Sequence, residues 1–343
     1  MLGAPGAVVE EAAVRGIQQS RGLDMHVHIC SELQPLRFQS QLTRTYTIDR
    51  RIMAPSDFDA ASSVFPETIG KAKSNKRLVG RKVLIVGAGQ RQIVDADPPI
   101  GNGRAIATLF AREGAAVVCL DVIREAAEAT VQQIRSEGGE AYPYIFDVRD
   151  ASGIPKAVAD AKATLGGLDG LVLVVGISRG LPLHKITRES WDDEFAVNVR
   201  SHMLFAQSSL QTLDPGASIV ILSSMAGLRA NSGNPAYETS KAAQMALVRA
   251  VARAGEPQGV RANVIAPGYV DTPLGRDASR HRKGRAARVP FGRQATGWEV
   301  AYLALFLMSR EASYISGQTI NIDAGSLSGT DGRPMRLMGW GKL

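Results

Sequence analysis

Residues 82–121 read KVLIVGAGQRQIVDADPPIGNGRAIATLFAREGAAVVCLD. The segment holds an apolar strand pattern, a glycine-rich turn, a helical pattern and a second apolar strand pattern. Nearly continuous apolar strands are typical of a sheet that is covered on both faces. Strand, helix and strand at this spacing predict a right-handed βαβ unit. The stretch therefore predicts an α/β fold built on a parallel sheet.

The same alternation continues along the chain. Strand patterns occur at KVLIVGAG, AAVVCLD, YPYIFDV, GLVLVVG, SIVILSS, VRANVIAPG and QTINIDAG. Helical patterns lie between them, at GRAIATLFAREG, REAAEATVQQIRSEGG, SGIPKAVADAKATLGG, SWDDEFAVNVRSHMLFAQSSLQTL, AYETSKAAQMALVRAVARAG and TGWEVAYLALFLMSR. We predict a Rossmann-type doubly wound parallel sheet of about seven strands with helices on both faces.

The domain organisation follows from where this pattern begins. Residues 1–77 show no sustained periodicity and are predicted to be a poorly ordered N-terminal extension. Residues 78–343 form the predicted Rossmann-fold domain, with a substrate loop at about 272–293. His26 and His28 alternate as on a strand face, but no further ligands stand at metal-binding spacing, so we expect no metal site.

Composition excludes several other classes of protein. The net charge is +7, but the basic residues are mostly dispersed, without a recognition motif or interleaved aromatics, so nucleic-acid binding is not expected. No apolar run reaches the roughly 20 residues that span a bilayer, and we expect no membrane association. Two cysteines, Cys30 and Cys119, provide no disulfide framework, which favours a reducing, cytoplasmic location.

Two glycine clusters mark a ligand-binding turn. The first strand ends in Gly87-Ala88-Gly89, and the next helix opens with Gly101-Asn102-Gly103. Glycines at a strand-to-helix turn let backbone N–H groups and the helix N-terminus face a pyrophosphate. Residues 91–100 interrupt the motif, and we expect the carboxylates of Asp95 and Asp97 to point away from the phosphates.

Acidic residues follow the next two strands. A carboxylate such as Asp121, about 20 residues past the glycines, can accept both ribose hydroxyls and repel a 2′-phosphate, which favours NAD over NADP. The alternative is a cap for a helix starting at Ile123. Asp147, which ends the third strand pattern, is interpreted as an adenine contact or as a helix cap before Ala151.

Three residues in the second half suggest acid–base chemistry. Tyr237 and Lys241 stand at i and i+4 and share one face of a predicted helix. An ammonium group near the phenol favours the phenolate and makes it a better base. Ser224, thirteen positions before Tyr237 at the end of a strand, can hold a substrate oxygen. This set suits proton transfer to or from an alcohol oxygen while hydride moves at its carbon.

From Leu78 to about Gly325 the sequence resembles a short-chain dehydrogenase/reductase. The resemblance implies that Ser224, Tyr237, Lys241 and Asn198 are the catalytic residues, with Asn198 in a proton relay from the lysine. It also implies a cofactor site and a homo-oligomer, either a tetramer or a dimer. The implied cofactor contacts are Gly87, Gly89, Gly101, Asn102, Gly103, Asp121, Val122, Asp147, Val148, Gly176, Tyr237, Lys241, Pro267, Gly268, Val270 and Thr272.

The chain departs from the family pattern at two places. The glycine motif carries the insertion 91–100, and the family's Asn-Asn-Ala-Gly reads Leu173-Val174-Val175-Gly176. The expected function is NAD-dependent transfer of hydride between nicotinamide and a secondary alcohol or ketone. The alternative is a catalytically weak dinucleotide-sensing protein. The basic residues of the substrate loop suggest either a solvated loop or recruitment of an anionic or acyl substrate; they are Arg276, Arg280, Arg282, Lys283, Arg285, Arg288 and Arg293.

Overall fold

The computed structural model describes residues 62, 64–230, 232–280, 284 and 288–328. The interpretations of His26, His28 and Cys30 therefore lie outside the described residues, as do most of the predicted N-terminal extension and residues 329–343. The basic residues Arg282, Lys283 and Arg285 of the substrate loop also lie outside them.

A seven-stranded parallel sheet forms the centre of the fold, in the order β3-β2-β1-β4-β5-β6-β9. Two further short strands, β7 and β8, pair with each other outside this sheet. The nine strands are β1 Lys82–Val86, β2 Ala116–Asp121, β3 Glu140–Ile145, β4 Gly170–Leu173, β5 Ser218–Leu222, β6 Arg261–Pro267, β7 Val270–Asp271, β8 Ala295–Thr296 and β9 Thr319–Ile322. The predicted doubly wound Rossmann-type sheet is confirmed.

The α-helices cover both faces of the sheet. They are α1 Asn102–Arg112, α2 Arg124–Ser136, α3 Ile154–Leu165, α4 Arg188–Phe195, α5 Ser201–Leu210, α6 Pro235–Gly255, α7 Pro273–Arg280 and α8 Gly297–Met308. Buried residues of α1, α2 and α8 belong to one apolar cluster, and those of α3, α5 and α6 belong to the other.

Strand β1 is apolar from Val83 to Val86 because both of its faces are buried. Val83 and Ile85 pack into the first cluster, while Leu84 and Val86 pack into the second. All four side chains are fully buried, because successive side chains of a strand point to opposite faces and both faces carry helices. The chain crosses from β1 to β2 on one side and returns to β4 on the other, which places a ligand crevice at their carboxyl ends.

The segment just before β1 packs on the domain, although the sequence analysis assigned it to the extension. Thr68 and Gly70 are buried, and a Cβ on Gly70 would lie 2.3 Å from the Trp298 ring. Arg112 Nη1 donates to the Gly70 carbonyl at 2.7 Å. The two oxygens of the buried Glu113 accept the backbone N–H groups of Asn75 and Arg77.

Three local expectations need correction. Strand β3 ends at Ile145, before Asp147, so that carboxylate stands in the following turn. The long helix predicted around Asn198 is continuous but contains a π-helical turn, Ala196–Arg200, between α4 and α5. The predicted substrate loop is not wholly irregular, since it includes α7.

Within the described part of the chain, no helix is long and apolar enough to cross a membrane. The same residues contain no cluster of side chains suited to hold a metal ion. Cys119 is a free thiol buried in β2, and burial raises its pKa to about 12. A thiol of this kind is an apolar packing group and not a reactive nucleophile. The cytoplasmic location stays a prediction.

Candidate active site

The two glycine clusters lie together in one turn, in spite of the insertion at residues 91–100 between them. Gly87 has a φ of +89°, and its N–H donates to the Leu120 carbonyl at 2.8 Å. A Cβ on Gly103 would lie 1.9 Å from the Gly87 carbonyl oxygen, so only glycine allows α1 to approach β1 this closely. Gly101 N–H donates to Gln90 Oε1 at 3.0 Å and holds the two halves of the motif together.

The N-terminus of α1 has the donors that a dinucleotide pyrophosphate needs. Its cap residue, Gly101, supplies no side-chain hydrogen bond, and the first turn carries no acidic residue, so its N–H groups and the positive end of the helix dipole face outward. Asn102 lines the adjacent cavity, and its buried Oδ1 has no hydrogen-bond partner among the described residues. The residues present therefore fit a dinucleotide.

Asp121 ends β2 beside this turn. Its Oδ2 accepts the N–H of Gly89 at 2.9 Å, and its Oδ1 accepts the N–H of Ile123 at 3.1 Å. The second contact stabilises the turn before α2, but the N-cap of α2 is Ile123 and has no side-chain hydrogen bond, so the helix-cap alternative does not match the structure. Each carboxylate oxygen keeps further acceptor capacity. Val122 follows with its side chain 53% exposed at the mouth of the turn.

The adenine side of the predicted site lies after β3. Asp147 is exposed, and its Oδ1 accepts the backbone N–H of Arg149 at 2.9 Å. Val148 is buried in the second apolar cluster. The helix-cap alternative for Asp147 does not match the hydrogen bonds, because Asp150 accepts the N–H groups of Ser152 and Gly153 before α3.

Ser224 and Tyr237 line one cavity of about 470 Å³. Ser224 follows β5 and caps a short 3-10 turn, with its Oγ accepting the N–H of Ala226 at 3.2 Å. Tyr237 stands in the first turn of α6. The cavity is also lined by Arg91, Asn102, Ser178, Arg179, Met225, Arg229, Asn234, Pro267, Gly268, Tyr269, Val270, Thr272, Leu274 and Asp277.

Lys241 lies one helical turn beyond Tyr237 and is buried. Its Nζ lies 5.5 Å from the centre of the Tyr237 ring and donates to the Leu222 carbonyl at 3.0 Å. Burial lowers the pKa of Lys241 to about 7. A Cβ on Gly176 would lie 3.3 Å from this Nζ and 3.4 Å from Asn198 Oδ1. The side chains of Lys241 and Asn198 therefore both approach Gly176.

Asn198 occupies the π-helical turn and is fully buried. Its Oδ1 accepts the N–H of Ile177 at 2.8 Å, and its Nδ2 donates to the Ile177 carbonyl at 2.9 Å and to Ser240 Oγ at 3.0 Å. The amide therefore ties the chain after β4 to α6. Single π-helical turns occur frequently at functional sites, and this one places Asn198 on the face that meets α6.

The turn after β6 forms another wall of the cavity. Pro267 ends β6, and Gly268 N–H donates to the Ile322 carbonyl at 2.9 Å. Val270 and Thr272 are buried, and Thr272 Oγ1 accepts the N–H of Gly275 at 3.1 Å at the start of α7. The structure therefore brings these predicted cofactor residues to the same cavity as Ser224 and Tyr237.

Leu173 and Val174 replace the family asparagines, and the chain at Val174 and Val175 is held by backbone hydrogen bonds and by a buried histidine. The N–H groups of Val174 and Val175 both donate to the Val86 carbonyl, at 2.9 and 3.0 Å. His202 Nε2 lies 3.0 Å from the Val175 carbonyl oxygen, and His202 Nδ1 lies 3.0 Å from Gln244 Nε2. Burial lowers the pKa of His202 to about 3, with the nearby Lys241 as a further cause.

Sequence reasoning did not identify His202, Gln244 or Asn234 as site residues. A usable signal was present, because His202 follows Asn198 by one helical turn and Gln244 follows Lys241 by three positions. Asn234 is buried, and its Nδ2 donates to Ser178 Oγ at 2.6 Å. Its Oδ1 has no partner among the described residues.

The contacts of the insertion agree with the expectation that its carboxylates point away from the glycine turn, and Asp97 is exposed. Asp95 does not face the glycine turn but forms an ion pair with Arg276 of α7 at 2.7 Å. Arg276 and Arg293 of the substrate loop are both paired with carboxylates, at Asp271 and Glu299. The interpretation of the basic residues as a solvated loop therefore does not apply to Arg276 and Arg293.

Known proteins resemble this chain in both sequence and structure. The profile of a family described as enoyl-(acyl carrier protein) reductase matches residues 100–326. A 3-oxoacyl-[acyl-carrier-protein] reductase of Thermotoga maritima is 32% identical over 252 residues, which cover 73% of this chain and 98% of that protein. A sorbitol dehydrogenase of Cereibacter sphaeroides is 34% identical over 265 residues, which cover 73% and 98%.

Among solved structures, a short-chain dehydrogenase/reductase from Burkholderia xenovorans aligns with a TM-score of 0.68 and 33% identity, over 74% of this chain and 98% of that one. The chain belongs to the short-chain dehydrogenase/reductase family. It is an oxidoreductase of a family that uses nicotinamide cofactors and acts on small molecules.

Proposed function

We propose that the protein is an NAD(H)-dependent oxidoreductase that interconverts a secondary alcohol and a ketone, with Tyr237 as the general acid and base. One observation carries this proposal: Ser224 and Tyr237 share a cavity with Asn102 at the end of the glycine turn, and the buried Lys241 lies next to the Tyr237 ring. This arrangement offers a proton-transfer group and a hydroxyl donor to one substrate oxygen beside a dinucleotide site.

Each catalytic side chain has a distinct part in the proposed reaction. A nicotinamide bound in the cavity supplies or accepts the hydride. Ser224 Oγ donates a hydrogen bond that orients the substrate oxygen, and the Tyr237 phenol gives that oxygen a proton in reduction or removes one in oxidation. In its protonated form, Lys241 favours the ionised phenol by its charge. Asn198 holds the backbone of Ile177 by hydrogen bonds, next to Gly176, which Lys241 also approaches. It thereby helps to keep the catalytic side chains in place relative to one another.

The geometry around Asp121 supports NAD over NADP. The carboxylate ends β2 and is held by two backbone N–H groups, one on each oxygen. A 2′-phosphate at this position would meet a fixed negative charge, whereas ribose hydroxyls would meet spare acceptor lone pairs. Arg124, which follows on α2, is paired with Glu128 at 3.3 Å.

The mouth of the cavity supports an anionic substrate. Three arginines, Arg91, Arg179 and Arg229, line the cavity together with one carboxylate, Asp277. Arg91 pairs with Asp277 at 2.9 Å, and Arg179 pairs with Asp193 outside the cavity. Arg229 is exposed and forms no ion pair among the described residues. We infer that Arg229 receives a carboxylate or another anionic group of the substrate.

A dinucleotide sensor is the alternative function, and the two departures from the family pattern motivated it. The hydrogen bonds observed at both places weaken the case for a sensor. The insertion leaves the glycine turn closed through Gln90 and Gly101, and the segment that replaces the asparagines is held by Val86 and His202. A sensor also has no need of a phenol and a buried ammonium beside a seryl hydroxyl.

We also infer a homo-oligomer, as the family resemblance implies, built on the helices that carry Asn198 and Tyr237. The outer surface of α5 exposes Met203 to 37%, and a thioether on an exposed helix face suits a contact between copies. Light scattering of the purified protein tests this inference, and a monomer at micromolar concentration would contradict it.

The experiment that tests the proposed activity is an absorbance assay with NAD and NADP on matched alcohols. The panel pairs 3-hydroxybutyrate with 2-butanol, which lacks the carboxylate, and includes sorbitol. Turnover with NAD supports the enzyme. Tight NADH binding in a fluorescence titration, with no turnover across the panel and its ketones, would instead support the sensor. Higher kcat/KM with NADP would overturn the cofactor assignment.

A further inference from the structure

The insertion at residues 91–100 leaves the glycine turn and returns to it at nearly the same place. Gln90 and Gly101, which flank it, are joined by the hydrogen bond from Gly101 N–H to Gln90 Oε1. The ten residues therefore do not widen the turn. They extend away from it to α7, the helix of the substrate loop, whose residues are far from the insertion in sequence.

Arg276 of α7 is the main contact between the two segments. Its Nη1 donates to Asp95 Oδ2 at 2.7 Å and to the Asp97 carbonyl at 2.6 Å. Its Nε and Nη2 bind both oxygens of Asp271, at 2.9 and 3.0 Å. One guanidinium thus joins the insertion, α7 and β7, and a bidentate arginine–carboxylate pair fixes its plane.

Two further contacts run between the insertion and α7. Arg280 Nη2 donates to the Val94 carbonyl at 3.1 Å. Arg91 forms an ion pair with Asp277 at 2.9 Å. The charges are complementary in both directions, since the insertion supplies the carboxylate of Asp95 to Arg276 and the guanidinium of Arg91 to Asp277. A single exposed ion pair contributes little to stability. Here several contacts run between the same two segments, and one of their members, the guanidinium of Arg276, is fixed in orientation, so together they hold the insertion against α7.

The two connected segments are walls of the same cavity. Arg91 of the insertion lines it, as do Leu274, Gly275 and Asp277 of α7. Asn102, at the end of the glycine turn, lines it from the cofactor side. Any group that fixes the glycine turn therefore restrains the insertion, and the insertion restrains α7. The contacts to Asp95 and Asp271 also occupy Arg276, so it is not the anion receptor of the cavity.

We propose that Arg276 is a positioning residue and that the insertion couples dinucleotide binding at the glycine turn to the placement of α7 over the substrate. The coupling rests on the proposed function, because it requires that a dinucleotide binds this turn. It gives the insertion a role, since ten residues that simply filled solvent would not need to engage Arg276, Arg280 and Asp277.

The test is hydrogen exchange of the full-length protein with and without NADH, read on peptides covering residues 273–280. In the wild type, NADH should slow exchange in α7. In Asp95→Asn, which removes the charge but keeps the size, the NADH-dependent slowing in α7 should fall by at least half, and slowing in α1 should remain. Asp95→Glu, which restores the charge, should recover most of the effect.

Arg293→Gln provides a matched control. Arg293 belongs to the same loop region but pairs with Glu299 of α8 and makes no contact with the insertion, so this variant should keep the wild-type slowing in α7. Equal slowing in wild type and Asp95→Asn, or no slowing of α7 in the wild type, would overturn the coupling while leaving the proposed function intact. Failure of NADH to bind in a separate fluorescence titration would overturn both.

Discussion

The imidazole Nε2 of His202 lies 3.0 Å from the carbonyl oxygen of Val175, directly after the two positions where the family has asparagines. Its other ring nitrogen faces Gln244 Nε2, which also donates to the Asn198 carbonyl at 2.7 Å. With Nε2 protonated and Nδ1 accepting, the neutral ring satisfies both contacts. A buried histidine thus supports the strand end beside Lys241.

His202 should make the protein sensitive to acid. Its folded-state pKa of about 3 lies below the ordinary value of 6.5, so the unfolded chain takes up the proton first as pH falls. Its stabilising contribution is therefore present above about pH 6.5 and is lost as pH falls toward 3. One proton corresponds to at most about 1.4 kcal/mol per pH unit.

Urea unfolding at pH 7.5, 6 and 5 measures this dependence. His202→Leu should be less stable at pH 7.5 by about 1–3 kcal/mol, because the Val175 carbonyl loses its donor, and its stability should fall less steeply with acid than that of the wild type. His184→Gln, at an exposed position, is the control and should keep the wild-type slope. Identical slopes in wild type and His202→Leu would refute this account.

Tyr237→Phe should abolish most turnover on the best substrate of the panel. The change removes only the hydroxyl, and general acid–base catalysis contributes about 10²–10⁴-fold, so kcat should fall by at least that order while NADH affinity persists. In the wild type, the oxidation rate should rise with pH, because the proposed base must be deprotonated to accept the proton of the alcohol. Tyr314→Phe, at a fully exposed position, should retain activity. A Tyr237→Phe enzyme with near wild-type kcat would favour the sensor.

Asp121→Asn should weaken the preference for NAD over NADP. The amide keeps an acceptor for the Gly89 N–H but loses the charge that repels a 2′-phosphate. The ratio of kcat/KM values for the two cofactors should therefore fall about tenfold or more, the equivalent of about 1.4 kcal/mol. Asp121→Ala should show the same shift and a poorer KM for NAD, since the Gly89 contact is lost. An unchanged ratio in Asp121→Asn would remove the carboxylate from the cofactor assignment.

Arg229→Gln should discriminate between charged and neutral substrates. If Arg229 receives an anionic group, KM for 3-hydroxybutyrate should rise about tenfold or more, in keeping with the roughly 1.5–3 kcal/mol of a charged hydrogen bond, while KM for 2-butanol stays within about twofold. Arg188→Gln, whose partner Asp192 is also exposed and outside the cavity, is the matched control. A parallel rise for both alcohols would argue against an anion site.

The start of the folded unit can be tested by truncation. A chain that begins at Ser74 loses the buried Thr68 and Gly70 and the contact of Arg112 with the Gly70 carbonyl. We expect its Tm to lie about 2–4 °C below that of a chain beginning at Ser62, which corresponds to about 1 kcal/mol for a domain of this size. The sequence predicted a poorly ordered extension over residues 1–77, and equal Tm values would support that prediction.

The sheet was predictable because burial on both faces leaves a strong local signal. Strand β1 has four consecutive fully buried apolar residues, and the inner strands of the sheet are similarly buried, whereas the edge strands β3 and β9 are only partly buried. The π-helical turn at Asn198 was not predictable, since its sequence carries the same apolar spacing as the α-helix around it. Packing against α6 determines where the extra residue is accommodated.

The site was predictable only where short-range spacing carries it. Tyr237 and Lys241 are one turn apart, so any helix brings them together. The pairing of Asp95 with Arg276 joins residues 181 positions apart, and no local pattern distinguishes it from other acid–base combinations in this chain. The partner of Val175 is likewise determined by the approach of α5 to the sheet.

The closed glycine turn shows that the size of a sequence change is a poor guide to its effect. Ten residues are accommodated between Gln90 and Gly101, because they project away from the junction of β1 and α1. One methyl group on Gly103 has no room, since it would lie 1.9 Å from the Gly87 carbonyl oxygen. The junction of β1 and α1 therefore tolerates ten additional residues between Gln90 and Gly101, whereas it does not tolerate one methyl group at position 103.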